Sequence, residues 1–302
     1  MLWDVDYTLL SAVGLGNRLY RAVFQEMFGC ELTVVAPKAG RTDRAIILDT
    51  LALAGVASPA DQVEGFLAAL GQVSASGAVR ADVRAMAGAA AAIDELALIG
   101  VRQSVLTGNI RPLAALKLRL AGLGSRHLDL AVGAYGDVHE VRAELVPVAR
   151  LAAGQAYGTD FAGCSTVLVG DTPLDVEAAL ATGARAVGVA TGTYSAASLA
   201  AAGAHIVLPD LTDAGLVLAA VTGLALVLCG VPCRSAAGQR PGGGSRPRSI
   251  AVVTAAVRSD TPSLPNARSR WVFTVASPRN SSAAIVGLLF PAATRRSGSR
   301  SR

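Results

Sequence analysis

Val167-Leu168-Val169-Gly170-Asp171-Thr172-Pro173-Leu174-Asp175 runs from three apolar β-formers through a glycine into a helix start. A strand with no polar alternation belongs inside a parallel sheet covered on both faces. Thr172 suits an N-cap, Pro173 the first helical position and Asp175 the third. Helix-start chemistry accounts for Asp175. It leaves Asp171 unexplained, just past a buried strand.

The same alternation extends to both sides. Candidate strands are Gln103–Leu106, Leu130–Val132, Thr166–Val169, Ala186–Val189 and His205–Leu208, with Met1–Trp3 as a short first strand. Helical patterns lie between them at Ala89–Leu98, Arg111–Ala121, Leu145–Ala156, Pro173–Thr182 and Ser195–Ala202, and a last helix follows from about Leu211 to Val221. Strands separated by single helices predict right-handed βαβ units and an α/β fold, a doubly wound, Rossmann-like parallel sheet. This core is expected over residues 1–13 and 87–222. Within 14–86, Leu19, Val23 and Met27, then Ile46, Ile47 and Leu51, then Val63, Leu67 and Leu70 recur at helical spacing. An all-helical insertion after the first strand is expected there.

Hydrophobic residues make up 52% and charged residues 16% of the 302, which excludes disorder throughout. Charge divides sharply. Residues 1–222 carry 15 Lys+Arg against 21 Asp+Glu; residues 223–302 carry 12 Arg and a single acid, Asp260. The basic segment 223–302 reads as a largely disordered tail, Gly-, Pro-, Ser- and Arg-rich over 234–248. It could contact nucleic-acid phosphates without specificity, but no aromatic interleaving accompanies the charge, and no specific nucleic-acid partner is expected. Residues 214–233 are uncharged over 20 positions; they read as the last helix and an apolar linker, broken by Gly223, Gly230 and Pro232, rather than as a membrane span. Cys30, Cys164, Cys229 and Cys233 form no disulfide framework, and Asp4 comes too early for a preceding signal peptide, so a cytoplasmic location is expected.

Two further stretches join Gly170–Asp175. Asp4 and Asp6, two residues apart at the end of an apolar strand, project to one side. Parallel α/β sheets bind ligands beyond the carboxyl ends of their strands. Acids this close need a cation or a shared proton. Ser104-Val105-Leu106-Thr107-Gly108-Asn109 ends a strand in a hydroxyl ahead of a helix, a phosphate-holding arrangement; its plain structural reading is a turn with Asn109 as N-cap. The three histidines (His127, His139, His205) have no ligand spacing.

Together these pieces resemble the haloacid dehalogenase-like (HAD) hydrolase superfamily, specifically its phosphoglycolate-phosphatase-like members with a helical cap. The resemblance rests on D-x-D-x-T at Asp4–Thr8, the Thr107-Gly108-Asn109 turn and G-D-T-P-x-D at Gly170–Asp175. It implies that Asp4 is the nucleophile of an aspartyl-phosphate mechanism and Asp6 the general acid and base. It also implies that Thr107 and Gly108 bind the phosphoryl group. The implied cofactor is Mg²⁺, held by the Asp4 carboxylate, the Asp6 carbonyl and Asp171, with Asp175 in support. The family's bridging Lys has no counterpart by spacing: Lys38 falls in the helical insertion and Lys117 only ten residues after Thr107. Arg142 is assigned that role. Arg41, in Gly40-Arg41-Thr42-Asp43, is assigned a substrate contact from the cap. Tyr7 stands where the family most often has Gly. The short first strand points to a start upstream of Met1.

The resemblance implies a Mg-dependent phosphomonoester hydrolase acting on a small phosphorylated metabolite. Asp6 and Asp171 argue against a dehalogenase. A phosphomutase of the same superfamily would retain every motif, and a truncated inactive paralogue with a basic interaction tail is the non-enzymatic alternative. Oligomeric state is left open.

Overall fold

The computed structural model describes residues 1–76, 79, 81–124, 126–223, 251–259, 270–277 and 280–289. It begins with β1 (Leu2–Trp3) and β2 (Leu10–Ser11), followed by helices α1 (Leu15–Phe28), α2 (Asp43–Leu53) and α3 (Pro59–Ala75). Next, β3 (Arg84–Ala85) pairs antiparallel with β2, so a two-stranded ribbon carries the chain out to the three helices and back. There follow α4 (Ala89–Leu98), β4 (Ser104–Val105), α5 (Arg111–Leu120), α6 (Leu145–Tyr157), β5 (Val167–Gly170), α7 (Pro173–Ala181), β6 (Arg185–Val189), α8 (Ala196–Ala201), β7 (Ile206–Leu208) and α9 (Ala214–Thr222).

Strands β4-β1-β5-β6-β7 form a parallel sheet in that order. Because side chains alternate along a strand, each strand supplies both layers of the core. Trp3, Val105, Val169, Val187 and Ile206 pack on the face that also buries Ile93 of α4 and Val217 of α9. Leu2, Leu168, Ala186 and Val207 pack on the other face with Val146, Val176 and Leu199 of α6, α7 and α8. This two-sided burial is why the strands read as continuous apolar runs.

The structure departs from expectation in several places. Leu130–Val132 is not a strand. The Asp129 carboxylate accepts from the Ala131 N–H at 3.0 Å and the Val132 N–H turns back to the Asp129 carbonyl, a local arrangement that competes with ladder pairing. Only an isolated bridge between Leu106 and Ala134 remains on that edge.

The segment read as disordered contains β8 (Ala251–Ser259), β9 (Arg270–Ser277) and β10 (Asn280–Leu289). β8 adds parallel to β7, with β9 and β10 antiparallel beyond it. Runs such as Val252-Val253-Thr254 and Val272-Phe273-Thr274-Val275 are rich in β-formers, a signal lost when composition is averaged over the whole tail. The Gly/Pro/Arg stretch at 234–248 lies outside the described residues. Cys164 is disulfide-bonded, although the cysteine spacing shows no disulfide framework, and Cys30 is free and exposed. No helix among the described residues is long and apolar enough to cross a membrane.

Candidate active site

Three strand ends converge. The Asp4 N–H donates to the Val169 carbonyl at 2.8 Å, which continues the β1–β5 ladder one residue and fixes the Asp4 side chain beyond the carboxyl edge. Asp171 follows β5 directly, and Thr107 stands just beyond β4. Asp4, Thr107, Asp171 and Asp175 are all buried.

Asp4 and Asp175 share one cation. Nη2 of Arg142 lies 2.6 Å from Oδ1 of Asp4 and 2.6 Å from Oδ1 of Asp175. The same guanidinium donates to the Leu106 carbonyl at 3.3 Å and the Gly40 carbonyl at 3.4 Å. Asp175 also completes the expected capping box: its Oδ2 accepts from the Thr172 N–H at 3.1 Å and hydroxyl at 2.7 Å. One carboxylate therefore starts α7 with one oxygen and reaches Arg142 with the other. Asp171 accepts from the Thr8 hydroxyl at 3.2 Å. Single oxygens of Asp4, Asp171 and Asp175 lie within 4.8 Å of one another, a spacing that would suit a cation.

Burial dominates the electrostatics. Desolvation pushes Asp4 up to about 7, opposed by Arg142 and reinforced by Asp175 and Asp6. Desolvation and then the charges of Asp4 and Asp175 push Asp171 up to about 8. Asp6 goes the other way. Burial pushes it up, but the Lys117 charge and hydrogen bonds from Asn109 and Lys117 outweigh that and lower it.

Lys117 was excluded on spacing, yet its Nζ lies 2.8 Å from Oδ1 and 2.6 Å from Oδ2 of Asp6 and donates to Oδ1 of Asn109 at 2.7 Å. Asn109 is not the N-cap of α5; Ile110 occupies that position. The Asn109 amide instead donates to Asp6 at 2.6 Å and to the Thr107 hydroxyl at 2.8 Å. A sequence signal did exist. Leu113, Ala114, Lys117 and Leu118 form the buried stripe of α5, and a lysine on an apolar stripe needs a buried partner.

The loop into α2 is docked on this site. The Asp43 N–H donates to the Gly108 carbonyl at 2.6 Å, the Arg44 N–H to the Gly136 carbonyl at 2.9 Å, and the Thr42 hydroxyl to the Glu140 carbonyl at 2.9 Å. A Cβ on Gly108 would collide with the Arg41 carbonyl oxygen, so glycine is required for this approach. The Asp43 carboxylate, missed in the sequence, is buried between the Tyr20 hydroxyl at 2.7 Å and the Ile110 N–H at 2.8 Å. Arg41 lines the resulting cavity, but its guanidinium is engaged by Asp49 at 2.6 Å and by the Pro37 and Ala45 carbonyls. The cavity measures about 250 Å³ and is also lined by Asp4, Asp6, Thr107, Asp171 and Lys117. Asp175 lies behind it, reached through Arg142.

Tyr7 turns the chain between Asp4 and Thr8 with φ 58°, a left-handed conformation for which a glycine carries no steric cost. Its side chain is exposed, and its N–H donates to the Leu10 carbonyl at 2.7 Å.

Residues 142–214 match the HAD-hydrolase-like family model. Among solved structures, the chain resembles a predicted phosphatase from Clostridium acetobutylicum at 17% identity and TM-score 0.50, covering 72% of this chain and 96% of that one. It also resembles a hydrolase from Pseudomonas syringae at 18% identity and TM-score 0.49, covering 70% and 94%. A HAD family hydrolase from Deinococcus radiodurans R1, with bound phosphate and sodium, aligns at 24% identity and TM-score 0.44, covering 73% and 95%. No curated protein matches the sequence. The match to a HAD-hydrolase-like family model is thus confined to residues 142–214, and the five-stranded parallel sheet is an α/β fold like that of the predicted phosphatase from Clostridium acetobutylicum.

Proposed function

We propose that the chain hydrolyses small phosphomonoesters, with Asp4 as nucleophile. The observation that carries this reading is one cavity lined by two carboxylates at the end of β1, by Thr107 and by the cationic side chains of Lys117 and Arg142 that engage those carboxylates. Oδ1 of Asp4 is engaged by Arg142. Oδ2 accepts no hydrogen bond among the described residues and is the oxygen that attacks phosphorus. The P–O bond to the substrate alcohol breaks, and the departing alkoxide takes a proton from Asp6, leaving an aspartyl-phosphate on Asp4. Asp6 then removes a proton from water, which attacks phosphorus and frees Asp4 and inorganic phosphate. The Thr107 hydroxyl and the turn at Gly108 hold the phosphoryl oxygens.

Without a phosphate present, Lys117 and Asn109 hold Asp6 as an anion, the state suited to the second step. An incoming phosphate dianion competes for Lys117 and loosens that hold, so that Asp6 can carry the proton needed in the first step.

The donor set fits a hard divalent cation. Asp4, Asp171 and Asp175 supply carboxylate oxygens within reach of one another, the kind of donor a hard cation takes. Mg²⁺ is the proposed ion, with Asp4, the Asp6 carbonyl and Asp171 holding it and Asp175 in support. When bound it would screen Asp4 from the anionic substrate and stabilise charge on the transferred phosphoryl group. The segment of α1, α2 and α3 is the proposed lid, docked over the cavity through Gly40–Arg44 and excluding water.

The test is phosphate release from a panel of phosphomonoesters with Mg²⁺ and with EDTA. Wild type is expected to turn over at least one panel member only with Mg²⁺. Asp4→Asn should lose about three orders of magnitude or more while remaining folded. Full activity in Asp4→Asn, or none in folded wild type with any divalent metal, would overturn the reading.

A further inference from the structure

Asp43 grips the turn ahead of α5 at both ends. Its N–H donates to the Gly108 carbonyl at 2.6 Å, and Oδ2 of its carboxylate accepts from the Ile110 N–H at 2.8 Å. Oδ1 accepts from the Tyr20 hydroxyl of α1 at 2.7 Å. Tyr20 is itself held, 5.5 Å from Phe66 between ring centres and with the Lys38 ammonium 3.9 Å from its ring centre. The Asp43 carboxylate is therefore buried with both oxygens engaged. Between the two gripped positions stands Asn109.

The start of α5 explains why an outside residue is needed. In a capping box, the third helical residue reaches back to the N–H of the N-cap residue. Here Ile110 is the N-cap and Leu113 the third helical residue, so neither half of the box can form, and α5 has no side-chain cap of its own. Asp43, 67 residues earlier in the chain, takes the place of that third residue. A carboxylate is also the charge favoured at a helix N-terminus.

Asn109 carries the constraint to Asp6. Its amide donates to Asp6 at 2.6 Å and to the Thr107 hydroxyl at 2.8 Å. Its Oδ1 accepts from Lys117, about two turns along α5, and Lys117 holds both oxygens of Asp6. Asp43 is not among the residues that line the cavity, so it acts on Asp6 through this turn.

We infer that Asp43 is a positioning residue for the acid–base carboxylate: by clamping Gly108 and Ile110 it sets Asn109, and Asn109 sets the direction in which Asp6 presents its proton. The inference rests on the proposed function in taking Asp6 as acid and base. The clamp on Asn109 does not depend on that reading.

Charge is the competing route, because the ammonium charges of Lys117 and Lys38 also act on Asp43. Asp43→Asn separates the two. It removes the charge and keeps the shape, with its carbonyl accepting from the Ile110 N–H and its amide donating to the Tyr20 hydroxyl.

The test has one readout with turnover and one without. kcat/KM covers events up to departure of the alcohol. Glycerol phosphate needs the Asp6 proton at that step, whereas p-nitrophenyl phosphate, whose phenolate leaves unaided, needs it little. Asp43→Ala should lose about 100-fold on glycerol phosphate and about tenfold or more less than that on p-nitrophenyl phosphate. Tyr20→Phe, which only loosens the carboxylate, should give the same order of esters at about threefold, and it covers the case in which Asp43→Ala does not fold. Without substrate, solvent exchange of the Asn109 side-chain amide, followed by NMR, should quicken about tenfold or more in Asp43→Ala. Asp43→Asn should stay within about threefold of wild type in both readouts.

Equal losses on the two esters in whichever variant folds, unchanged amide exchange in that variant, or Asp43→Asn behaving like Asp43→Ala would overturn the inference. If wild type hydrolyses no phosphomonoester but the amide exchange responds as expected, the phosphatase reading falls and the clamp on Asn109 stands.

Discussion

Lys117 lies 2.6 Å from Asp6, although 111 residues separate them in the chain. The pairing crosses from α5 to the end of β1 and sets the charge state of the carboxylate proposed as acid and base. Replacing Lys117 with Ala leaves burial as the largest influence on Asp6, which therefore holds its proton to higher pH. The lower-pH limb of the pH–rate profile should move upward and kcat should fall about 10- to 100-fold. Lys117→Arg should keep most of the limb position. A purely structural role would lower thermal stability without moving the limb.

Arg142 is buried between two carboxylates, and removal of one partner from a buried ion pair costs about 3–5 kcal/mol. Arg142→Ala should show a loss of that order in denaturant unfolding. Mg²⁺ should restore more stability to the variant than to wild type, because Asp4 and Asp175 then lack the cation that pairs with both. Equal gains in both proteins would argue against a cation at these carboxylates.

In metal-free protein, Asp4 and Asp171 hold protons up to about 7 and about 8, well above the ordinary carboxylate value of 3.8. Between pH 4 and 8 these two carboxyls bind more protons in the folded state than in the unfolded chain. Their contribution to stability therefore falls as pH rises through that window. Thermal melts in EDTA from pH 5 to 8.5 check the slope, and Asp171→Asn should flatten it.

Gly108→Ala places a methyl group against the Arg41 carbonyl oxygen, a backbone atom that cannot swing aside. The Asp43 N–H then cannot keep its 2.6 Å contact with the Gly108 carbonyl. The expected result is a folded protein, by circular dichroism, whose kcat/KM falls about 100-fold because the docked loop is displaced by roughly an ångström. Unchanged kinetics would mean that this docking is not needed for turnover.

Tyr7 at φ 58° carries a left-handed penalty of roughly 1–2 kcal/mol. Because its side chain is exposed, Tyr7→Gly should stabilise the protein by about 1 kcal/mol, less what the unfolded chain gains in entropy. Denaturant midpoints measure this directly.

The parts legible in the sequence were local. Val167–Asp175 carries strand, cap and helix start in nine consecutive residues, and the structure has β5 and α7 there with the capping box formed. Asp4, Thr107 and Asp171 could be grouped because each follows an apolar strand, and parallel strands place their carboxyl ends together. Where a side chain's own turn chemistry won, as Asp129 did over the expected strand at Leu130–Val132, periodicity misled. The strands β8–β10 were hidden by composition averaged over a basic tail.

What the sequence determined by itself is the parallel α/β sheet, the helical insertion and the acids at the strand ends. These follow from side-chain period and from which residues can begin a helix. The tertiary structure decided which cation meets which acid: Arg142 between Asp4 and Asp175, Lys117 on Asp6, Arg41 turned to Asp49, and Lys38 left with Tyr20. Those choices depend on how α5 is rotated about its axis and on backbone contacts at Gly108 and Gly136. Both are set by packing between segments far apart in the chain, as where the Arg44 N–H meets the Gly136 carbonyl, and no local pattern records them.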